Sequence, residues 1–356
     1  MLQNIQIKGF KSIKDLSFDL SSINILIGAN GVGKSNFISF FKLVNQIYEQ
    51  RLQQYSLTEG TDNLLYFGRK TTKEIKGQLI FEGFTYTFEL QPSKNDGLFI
   101  SEERSFNNLS PDIDISRGDF IKESTIICAD YGPEDIYLNS HIGSCKIYHF
   151  HDTSNAAALR TTSNIDDNKR LKEDGENIAA YLYLLQQNHP KSFKRIEKTI
   201  QSIAPFFKRF NLEPDRLDES RIKLEWSEKE NHDKYFNAAH LSDGSLRFIA
   251  LATLLSQPNL PEMLIIDEPE LGLHPKAINK LAGLIKSAAQ RGCQIIISTQ
   301  SINLLNQFTL EDIITVDRND NQSNFNRLES KDFENWLDDY SLGELWTKSV
   351  IKGQPF

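Results

Sequence analysis

The chain is poor in cysteine and has no long apolar run. Its three cysteines, Cys128, Cys145 and Cys293, are odd in number and widely separated, with no Cys-x-x-Cys pair. This pattern favours neither a disulfide framework nor a zinc site. No apolar stretch approaches the roughly 18 residues that a membrane-spanning helix needs, and the N-terminus lacks the architecture of a signal peptide. We therefore expect a cytoplasmic protein without a membrane partner.

Positive charge is also scarce, because 40 Lys and Arg residues face 48 Asp and Glu residues and the net charge is -8. The chain therefore has no overall basic field. Nucleic acid remains a possible partner only through a local basic patch or through the surface of another protein. A length of 356 residues allows one large domain or two modest ones with a substantial core.

What the chain does contain is a glycine-rich turn between an apolar strand and a helix. The sequence GANGVGKSN, Gly28–Asn36, fits the pattern G-x-x-x-x-G-K-[ST], and a helix is predicted from about Lys34 to Gln50. Glycines let successive N–H groups of such a loop point at one anion, and the helix N-terminus adds positive potential. Lys34 would reach the β- and γ-phosphates of ATP, and Ser35 would ligate Mg²⁺. We predict that the nucleotide contacts are Asn30, Gly31, Gly33, Lys34, Ser35 and Asn36.

A second apolar strand ends in two adjacent acids, in the sequence MLIIDEPELGLHP. We expect Asp267 to hold Mg²⁺ and Glu268 to orient or deprotonate the attacking water, as in other ATPases with this type of loop. For Glu270 and His274 the pattern leaves two interpretations open, ordinary loop residues or direct functional contacts.

With LSDGSLRF, Leu241–Phe248, between these two motifs, the chain resembles the ABC-type ATPase superfamily. The sequences IKGFKSIKD, GANGVGKSN and DEPELGLHP are similar to the SMC and RecF-like branch. Within that branch, LSDGSLRF resembles the OLD-like group of bacterial ATPases, many of which serve in antiphage defence. The resemblance covers the core at both ends of the chain.

The resemblance implies a head-to-tail homodimer, with ATP between the Gly28–Ser35 loop of one subunit and the Leu241–Phe248 segment of the other. Ser242 and the N–H groups near Gly244 begin a helix, so they would form a second anion site. A plain capping function for Ser242 or Asp243 stays open beside this interpretation, and both can hold.

The expected fold class is α/β, because buried strands bracketed by helices are typical of a parallel core. We predict a P-loop ABC-type core, consisting of a mixed sheet and an antiparallel β subdomain, with a helical insertion that carries the signature motif. The expected domains are an N-terminal ATPase lobe at 1–150, a mainly helical insertion at 151–240, a C-terminal lobe at 241–318 and a tail at 319–356.

Two positions depart from the superfamily pattern. Asp243 stands where a second glycine is common, and because an acid near a γ-phosphate is repulsive, we expect it to cap the helix instead. Gln300 stands where a histidine usually contacts the γ-phosphate; glutamine can hydrogen-bond but cannot carry charge. We therefore expect Gln300 to take part in slow ATP hydrolysis from a long-lived dimer. Arg247 would either pair with an acid of its own subunit or reach across the dimer.

Four further polar residues are weaker candidates. His149 and His151 in KIYHFHDTS alternate on a predicted strand, so they would share one face, either coupled to the nucleotide or as ordinary histidines. By resemblance alone, Lys11 and Ser12 would lie near the nucleotide.

Only about 50 residues follow Gln300, which is too short for the Toprim nuclease domain that OLD nucleases carry. We therefore expect a regulatory or sensor ATPase whose nuclease or toxin effector is a separate protein. A RecF-like repair ATPase that grips DNA, and a scaffold that binds ATP with little hydrolysis, are the alternatives.

The tail combines aromatic residues with acids, a composition typical of interface anchors. Its large side chains would either dock a partner or close the ATPase core; they are Trp336, Tyr340, Leu342 and Trp346.

Overall fold

The chain forms two structural units, and the first of them is built from both ends of the sequence. The structure, a computed structural model, describes residues 1–108, 114–126, 133–230, 235–329, 331, 333, 336, 339–351 and 353. Unit 1 comprises Met1–Ile147, Pro261–Ile265 and Gln294–Phe356; unit 2 comprises Tyr148–Leu260 and Ile266–Cys293. Cys145 and Cys293 are buried thiols, and Cys128 lies outside the described residues.

The strands are named in chain order. They are β1 (Leu2–Phe10), β2 (Ile13–Asp19), β3 (Ile23–Ile27), β4 (Ile75–Phe81), β5 (Phe84–Pro92), β6 (Leu98–Asn107), β7 (Asp114–Gly118), β8 (Cys145–Tyr148), β9 (Ser163–Asn164), β10 (Phe207–Phe210), β11 (Arg221–Ile222), β12 (Glu225–Glu228), β13 (Tyr235–Asn237), β14 (Met263–Asp267), β15 (Gln294–Thr299), β16 (Ile313–Asn319) and β17 (Gln322–Arg327).

The helices are named in the same way. They are α1 (Lys34–Tyr48), α2 (Leu52–Glu59), α3 (Thr61–Leu64), α4 (Gly68–Thr71), α5 (Pro133–Gly143), α6 (Ile178–Asn188), α7 (Pro190–Ile203), α8 (Asp243–Ser256), α9 (Pro275–Gln290), α10 (Ile302–Leu305) and α11 (Leu342–Thr347).

Unit 1 contains a mixed sheet in the order β17-β16-β3-β15-β14-β8. Strand β3 pairs in parallel with both β15 and β16, and β16 pairs antiparallel with β17. All side chains of β3 and β15 are buried, which explains why both strands read as continuous apolar runs rather than as alternating patterns. The parallel pairing brings the carboxyl ends of β3 and β15 to the same edge of the sheet, which is where such sheets place their ligands.

The second sheet of unit 1 has the order β2-β1-β4-β5-β6-β7, and its neighbouring strands pair antiparallel. Helix α1 packs against both sheets through its aromatic face. The ring of Phe40 stacks on Phe88 of β5, and the ring of Phe37 contacts Phe325 of β17. Because each fully buried phenylalanine contributes about 1.5–3 kcal/mol, this face anchors the helix whose first turn completes the glycine-rich loop.

Unit 2 is organised around α8, which packs against α7 and α9. Every residue of α8 from Leu246 to Ser256 is buried, so this part of the helix is enclosed on all sides, and most of its side chains are apolar. A small sheet in the order β10-β12-β13 lies in the same unit, and its Trp226 stacks on Phe207 and Phe236.

Two helix boundaries coincide with a proline and a glycine. Helix α7 begins at Pro190, directly after α6, and α9 ends before Gly292, whose φ is +90°. Among the described residues, no helix is both long enough and apolar enough to cross a membrane.

Candidate functional site

The glycine-rich loop of unit 1 curls around the side chain of Lys34. Its Nζ donates hydrogen bonds to Gly28 O (2.6 Å) and Ala29 O (2.9 Å), and the residue is only 6% exposed. Gly31 and Gly33 have φ values of +78° and +121°, which glycine adopts without the cost that other residues meet. The loop therefore holds an ammonium group at the entrance of α1, among backbone groups that can face an anion.

A chain of hydroxyl groups supports the loop from outside. Ser323 Oγ donates to Val32 O (2.5 Å) and lies 2.7 Å from Ser12 Oγ, which also accepts from Asn36 Nδ2 (2.7 Å). A Cβ atom at Gly33 would overlap the Ser323 hydroxyl, so this position needs glycine for space as well as for its φ. Ser323 is remote in sequence and carries no motif, so sequence reasoning missed it.

Gln300 lies beside the loop because of the strand register. Ile27 pairs with Thr299, so the residues that follow these two positions leave the sheet side by side. Gln300 Nε2 donates to Asn30 Oδ1 at 2.6 Å. Asn30 and Ser35 are exposed, and Gln300 is half-buried. The structure thus brings together Asn30 and Gln300, two of the predicted site residues, although they lie 270 positions apart in sequence.

A cleft of about 360 Å³ opens next to the first turn of α1. Lys11, in a left-handed conformation with φ +47°, forms part of its wall, and burial lowers the pKa of the Lys11 ammonium. The exposed ring of Phe67 also reaches the cleft. The polar lining residues include Ser12, Asn36, Asn63, Arg318 and Asn321.

Asp267 is the last residue of strand β14 and Glu268 follows it, and both residues are half-buried. Glu268 has a φ of +38°, which a non-glycine residue adopts only when its surroundings require it. His151 Nε2 lies 2.7 Å from Asp267 O. Because a carbonyl oxygen can only accept, His151 donates this hydrogen bond from Nε2 and thereby ties its loop to the end of β14.

The prediction that His149 and His151 alternate along a strand is wrong. Strand β8 ends at Tyr148, and both histidines follow it in irregular backbone, with ring centroids 6.2 Å apart. The N–H of His149 donates to Glu173 O at 3.0 Å, so the chain leaves the sheet at this point. A short alternating pattern of apolar residues does not show at which residue the pairing of a strand with its neighbour ends.

The signature segment begins α8. Ser242 is the N-cap residue, and its Oγ accepts a hydrogen bond from the Ser245 N–H at 3.3 Å. A Cβ atom at Gly244 would lie 2.5 Å from Gly272 O, so α8 approaches the loop after β14 at a distance that only glycine permits. Ser242 and Gly244 thus have structural reasons for their identity, independent of any ligand.

Asp243 does not cap the helix, contrary to our expectation. Its carboxylate forms an ion pair with Arg160 at 2.9 Å, and the Arg160 side chain is only 7% exposed. The same guanidinium donates to Thr153 O (3.0 Å), to Leu241 O (3.2 Å) and to Ala238 O. Ser242 already fills the capping position, so Asp243 is left to neutralise a buried arginine.

Arg247 binds backbone carbonyl groups of its own chain. Its guanidinium donates to Phe150 O and His151 O, both at 2.8 Å, and to Leu271 O. The residue is 4% exposed, and burial lowers the pKa of the guanidinium, which an arginine nevertheless keeps charged. Arg247 therefore joins α8 to the segment of Phe150 and His151 and to the loop that follows the carboxylates. It does so through backbone carbonyl groups and not through an acidic side chain.

His274 caps α9, because its Nδ1 accepts from the Lys276 N–H at 3.2 Å. Glu270 O accepts from the Leu273 N–H at 2.9 Å, a contact made by the backbone and not by the carboxylate.

The large side chains of the tail differ in burial. Leu342 and Trp346 are each 8% exposed and belong to the buried residues of unit 1, whereas Trp336 is 42% exposed. The neighbours 334, 335, 337 and 338 lie outside the described residues.

Comparisons with known proteins now bear on this geometry. Residues 23–306 match the model of a family described as "AAA domain, putative AbiEii toxin, Type IV TA system". The chain is 22% identical to the Old nuclease of Escherichia phage P2, over 85% of this chain and 57% of the nuclease. It is 34% identical over 88 residues to the energy-coupling factor transporter ATP-binding protein EcfA2 of Streptococcus agalactiae. That match covers 25% of this chain and 30% of EcfA2, so the chain spans only part of these relatives' length.

Among solved structures, the chain resembles an Smc head bound to the C-winged helix domain of ScpA. The TM-score is 0.62 at 16% identity, over 94% of this chain and 99% of the Smc head chain. At this identity the likeness concerns the fold. It confirms the predicted α/β class, with a P-loop ABC-type core made of a mixed sheet and an antiparallel β subdomain.

The contacts of Arg247 predict a large effect of its removal on stability. Arg247→Ala should lower the free energy of unfolding by about 2–4 kcal/mol, because three buried carbonyl groups lose a charged donor. Arg247→Lys should lose less, since an ammonium can keep part of this contact set. Urea unfolding of the purified variants measures the effect.

The control is Arg195→Ala, an arginine of the same unit that lies exposed on α7. Equal losses for Arg247→Ala and Arg195→Ala would contradict the role assigned to Arg247.

Proposed function

The chain belongs to the AAA domain family matched by residues 23–306 and is an ABC-type, SMC-like ATP-binding ATPase related to the OLD group, and on that premise we propose an Mg-ATP-dependent switch that closes as a head-to-tail homodimer. The observation that carries this proposal is the preformed phosphate loop, with Lys34 held at its centre by two backbone carbonyl groups. A preformed loop binds an anion without first having to be ordered.

On binding, Lys34 turns from the loop carbonyls to the β- and γ-phosphates, and the N–H groups around Gly31 and Gly33 face the phosphate oxygens. Asn30 and Gln300, already in contact, stand where a γ-phosphate or the attacking water would be held. Because glutamine supplies no charge, this arrangement supports slow hydrolysis.

The proposed metal ligands suit Mg²⁺, since the Ser35 hydroxyl and the Asp267 carboxylate are oxygen donors of the kind this ion prefers. The ion would supply charge neutralisation on the phosphates. Glu268, held in its unusual backbone conformation after β14, orients the attacking water and accepts its proton. The cleft beside Lys11 and Phe67 offers a cation and an aromatic ring to the ribose and base.

We propose that the N-terminus of α8, with Ser242 and Gly244, meets the ATP of the second subunit. Arg160 supports this part of the proposal, because it neutralises the carboxylate of Asp243 at the point where a phosphate would approach. A movement of α8 when the dimer closes would then be transmitted through Arg247, which links α8 to the loop after the carboxylates.

We further propose that the dimer is the regulatory subunit of a defence complex that controls an effector protein. The likeness to the Old nuclease and the family description support a defence role. The Smc head of similar fold is bound to a domain of ScpA, which supports partner docking on this fold.

The ATPase proposal predicts different effects for two charged residues. Lys34→Ala should weaken ATP binding by about 10- to 100-fold, the size of the charge-assisted hydrogen bonds lost. Glu268→Gln should leave ATP affinity unchanged and slow hydrolysis by about 10²–10⁴-fold. Calorimetric ATP titration and phosphate release measure the two quantities.

The matched control is Glu262→Gln, a glutamate immediately before the same strand, which should hydrolyse ATP at the wild-type rate. A wild-type rate no faster than that of Glu268→Gln would support the scaffold alternative instead.

Dimer closure is tested best at Asp243, because this side chain is exposed and Gly244 variants would disturb unit 2 itself. In a Glu268→Gln background, Asp243→Asn should lower the ATP concentration needed for dimerisation several-fold, since the positive charge of Arg160 is then no longer neutralised by a carboxylate. Sedimentation velocity across an ATP titration measures this.

Glu219→Gln removes an equally exposed charge elsewhere in unit 2 and is the control. If Asp243→Asn dimerises at the same ATP concentration as Glu219→Gln, or only at a higher one, the proposed contact is wrong.

A basic face favours nucleic-acid contact as a second candidate function. Helix α7 buries Phe193, Ile196 and Ile200 and exposes four cations at helical spacing, which together with one residue of α9 line a cavity of about 270 Å³. Its acid, Glu197, is turned to the Phe210 N–H at 2.9 Å. The five cations are Lys191, Lys194, Arg195, Lys198 and Lys280. Within the described part of the chain, none of them has an ion pair at 4.0 Å or less.

A triple substitution tests this face. Lys194→Gln, Arg195→Gln and Lys198→Gln together should weaken binding to a 30-base-pair duplex by about tenfold or more at low salt and should flatten the salt dependence by about three counterions. Fluorescence anisotropy at several salt concentrations measures both.

The control triple carries the same charge change on exposed lysines of unit 1, at positions 14, 70 and 73. Equal weakening in both triples would mean that net charge, rather than this face, determines binding.

A further inference from the structure

The segment after Trp336 turns back toward the phosphate loop. We call Ser341–Ile351 together with Gly353 the strap. Ser341 caps α11 through a capping box with Glu344, and the helix ends at Thr347, two residues before Ser349, whose φ is +57°. The chain then reverses, since the Val350 N–H donates to Leu345 O at 3.0 Å.

One end of the strap contacts the phosphate loop directly. Gly353 O accepts a hydrogen bond from the Ala29 N–H at 2.8 Å. Gly353 has a φ of +96°, and a Cβ atom there would lie 3.1 Å from Val316 O and 3.3 Å from Gly28 Cα. The strap therefore lies against the start of the loop, at a distance that favours glycine.

The other end of the strap packs on the helix that follows Gln300. The Gly343 N–H donates to Asn306 Oδ1 at 2.6 Å, and a Cβ atom at Gly343 would overlap a methyl group of Ile302 in α10. The strap thus bridges the loop that presents Asn30 and the segment that presents Gln300, the two residues whose side chains meet at 2.6 Å.

Ala29 is consequently held from both sides. Its carbonyl group accepts from Lys34 Nζ, and its N–H group donates to the strap. When ATP draws the Lys34 ammonium away, the strap contact still holds this peptide group in place. A loop that keeps its shape without a ligand loses less conformational freedom when it binds one.

We infer that the strap is a positioning element for the nucleotide, which keeps Ala29, Asn30 and Gln300 in the arrangement that receives the phosphates. The inference rests on the proposed ATP binding. It makes Gly353 a positioning residue, since it acts through Ala29 and not by contact with the nucleotide.

Gly353→Val in the full chain tests the inference, because the larger side chain and the left-handed φ both displace the strap from the loop. We expect ATP affinity to fall by about three- to tenfold, the size of one hydrogen bond and its ordering effect. The Ala29 amide should exchange faster with deuterium. Gly353→Ala should lie between wild type and Gly353→Val in both measurements.

Gly292→Val is the matched control, because Gly292 has a φ of +90° and no atom within 4 Å of an added Cβ. It carries the same backbone strain without a nearby loop, so its ATP affinity should equal that of the wild type. If Gly353→Val binds ATP as tightly as Gly292→Val, the inference is wrong, whether or not the Ala29 amide is deprotected. If the wild-type chain binds no ATP while its Ala29 amide is protected, the proposed function fails but the strap contact stands.

Discussion

The ammonium group of Lys34, enclosed by its own loop, is the interaction on which the first unit depends. A buried cation is costly unless acceptors surround it, and here two backbone carbonyl groups supply them. For the Lys34 ammonium to reach the carbonyl group of Gly28, six residues earlier, the chain must curl back on itself. The curl in turn requires left-handed backbone at Gly31 and Gly33. The Ser323 hydroxyl and the strap then hold the curl from outside, so residues from three distant parts of the chain stabilise one short loop.

Unit 2 uses the same chemistry with arginine. The Arg160 side chain is only 7% exposed and Arg247 is buried, and each guanidinium donates to three backbone carbonyl groups in two segments of the chain. A guanidinium suits this task, because its donors lie in a fixed plane and reach several acceptors at once. Arg247 connects α8 to the loop after β14, so a displacement of α8 would be felt at that loop. The signature segment and the loop that follows the carboxylates are thus joined within the chain itself.

The charges of the chain are distributed unevenly over its surface, so the net charge does not describe each face. A net charge of -8 suggests no affinity for a polyanion, yet α7 presents an uninterrupted basic face. The amphipathic pattern of α7 is visible in the sequence, since Phe193, Ile196 and Ile200 recur at helical spacing. The contribution of Lys280 to the basic face is not visible there, because this residue belongs to a helix about 80 residues later in the chain.

The sequence by itself determined the fold class and the local motifs. The loop pattern at Gly28–Ser35, the buried strands and the boundaries at Pro190 and Gly292 are short-range features, written in consecutive residues. Tertiary structure decided the rest: that Asp243 pairs with Arg160, that Arg247 binds carbonyl groups, and that Ser323 and Gly353 support the loop. These contacts join residues tens to hundreds of positions apart, often through backbone atoms that every residue carries. Side-chain identity alone cannot predict such partners, because the fold selects them by proximity.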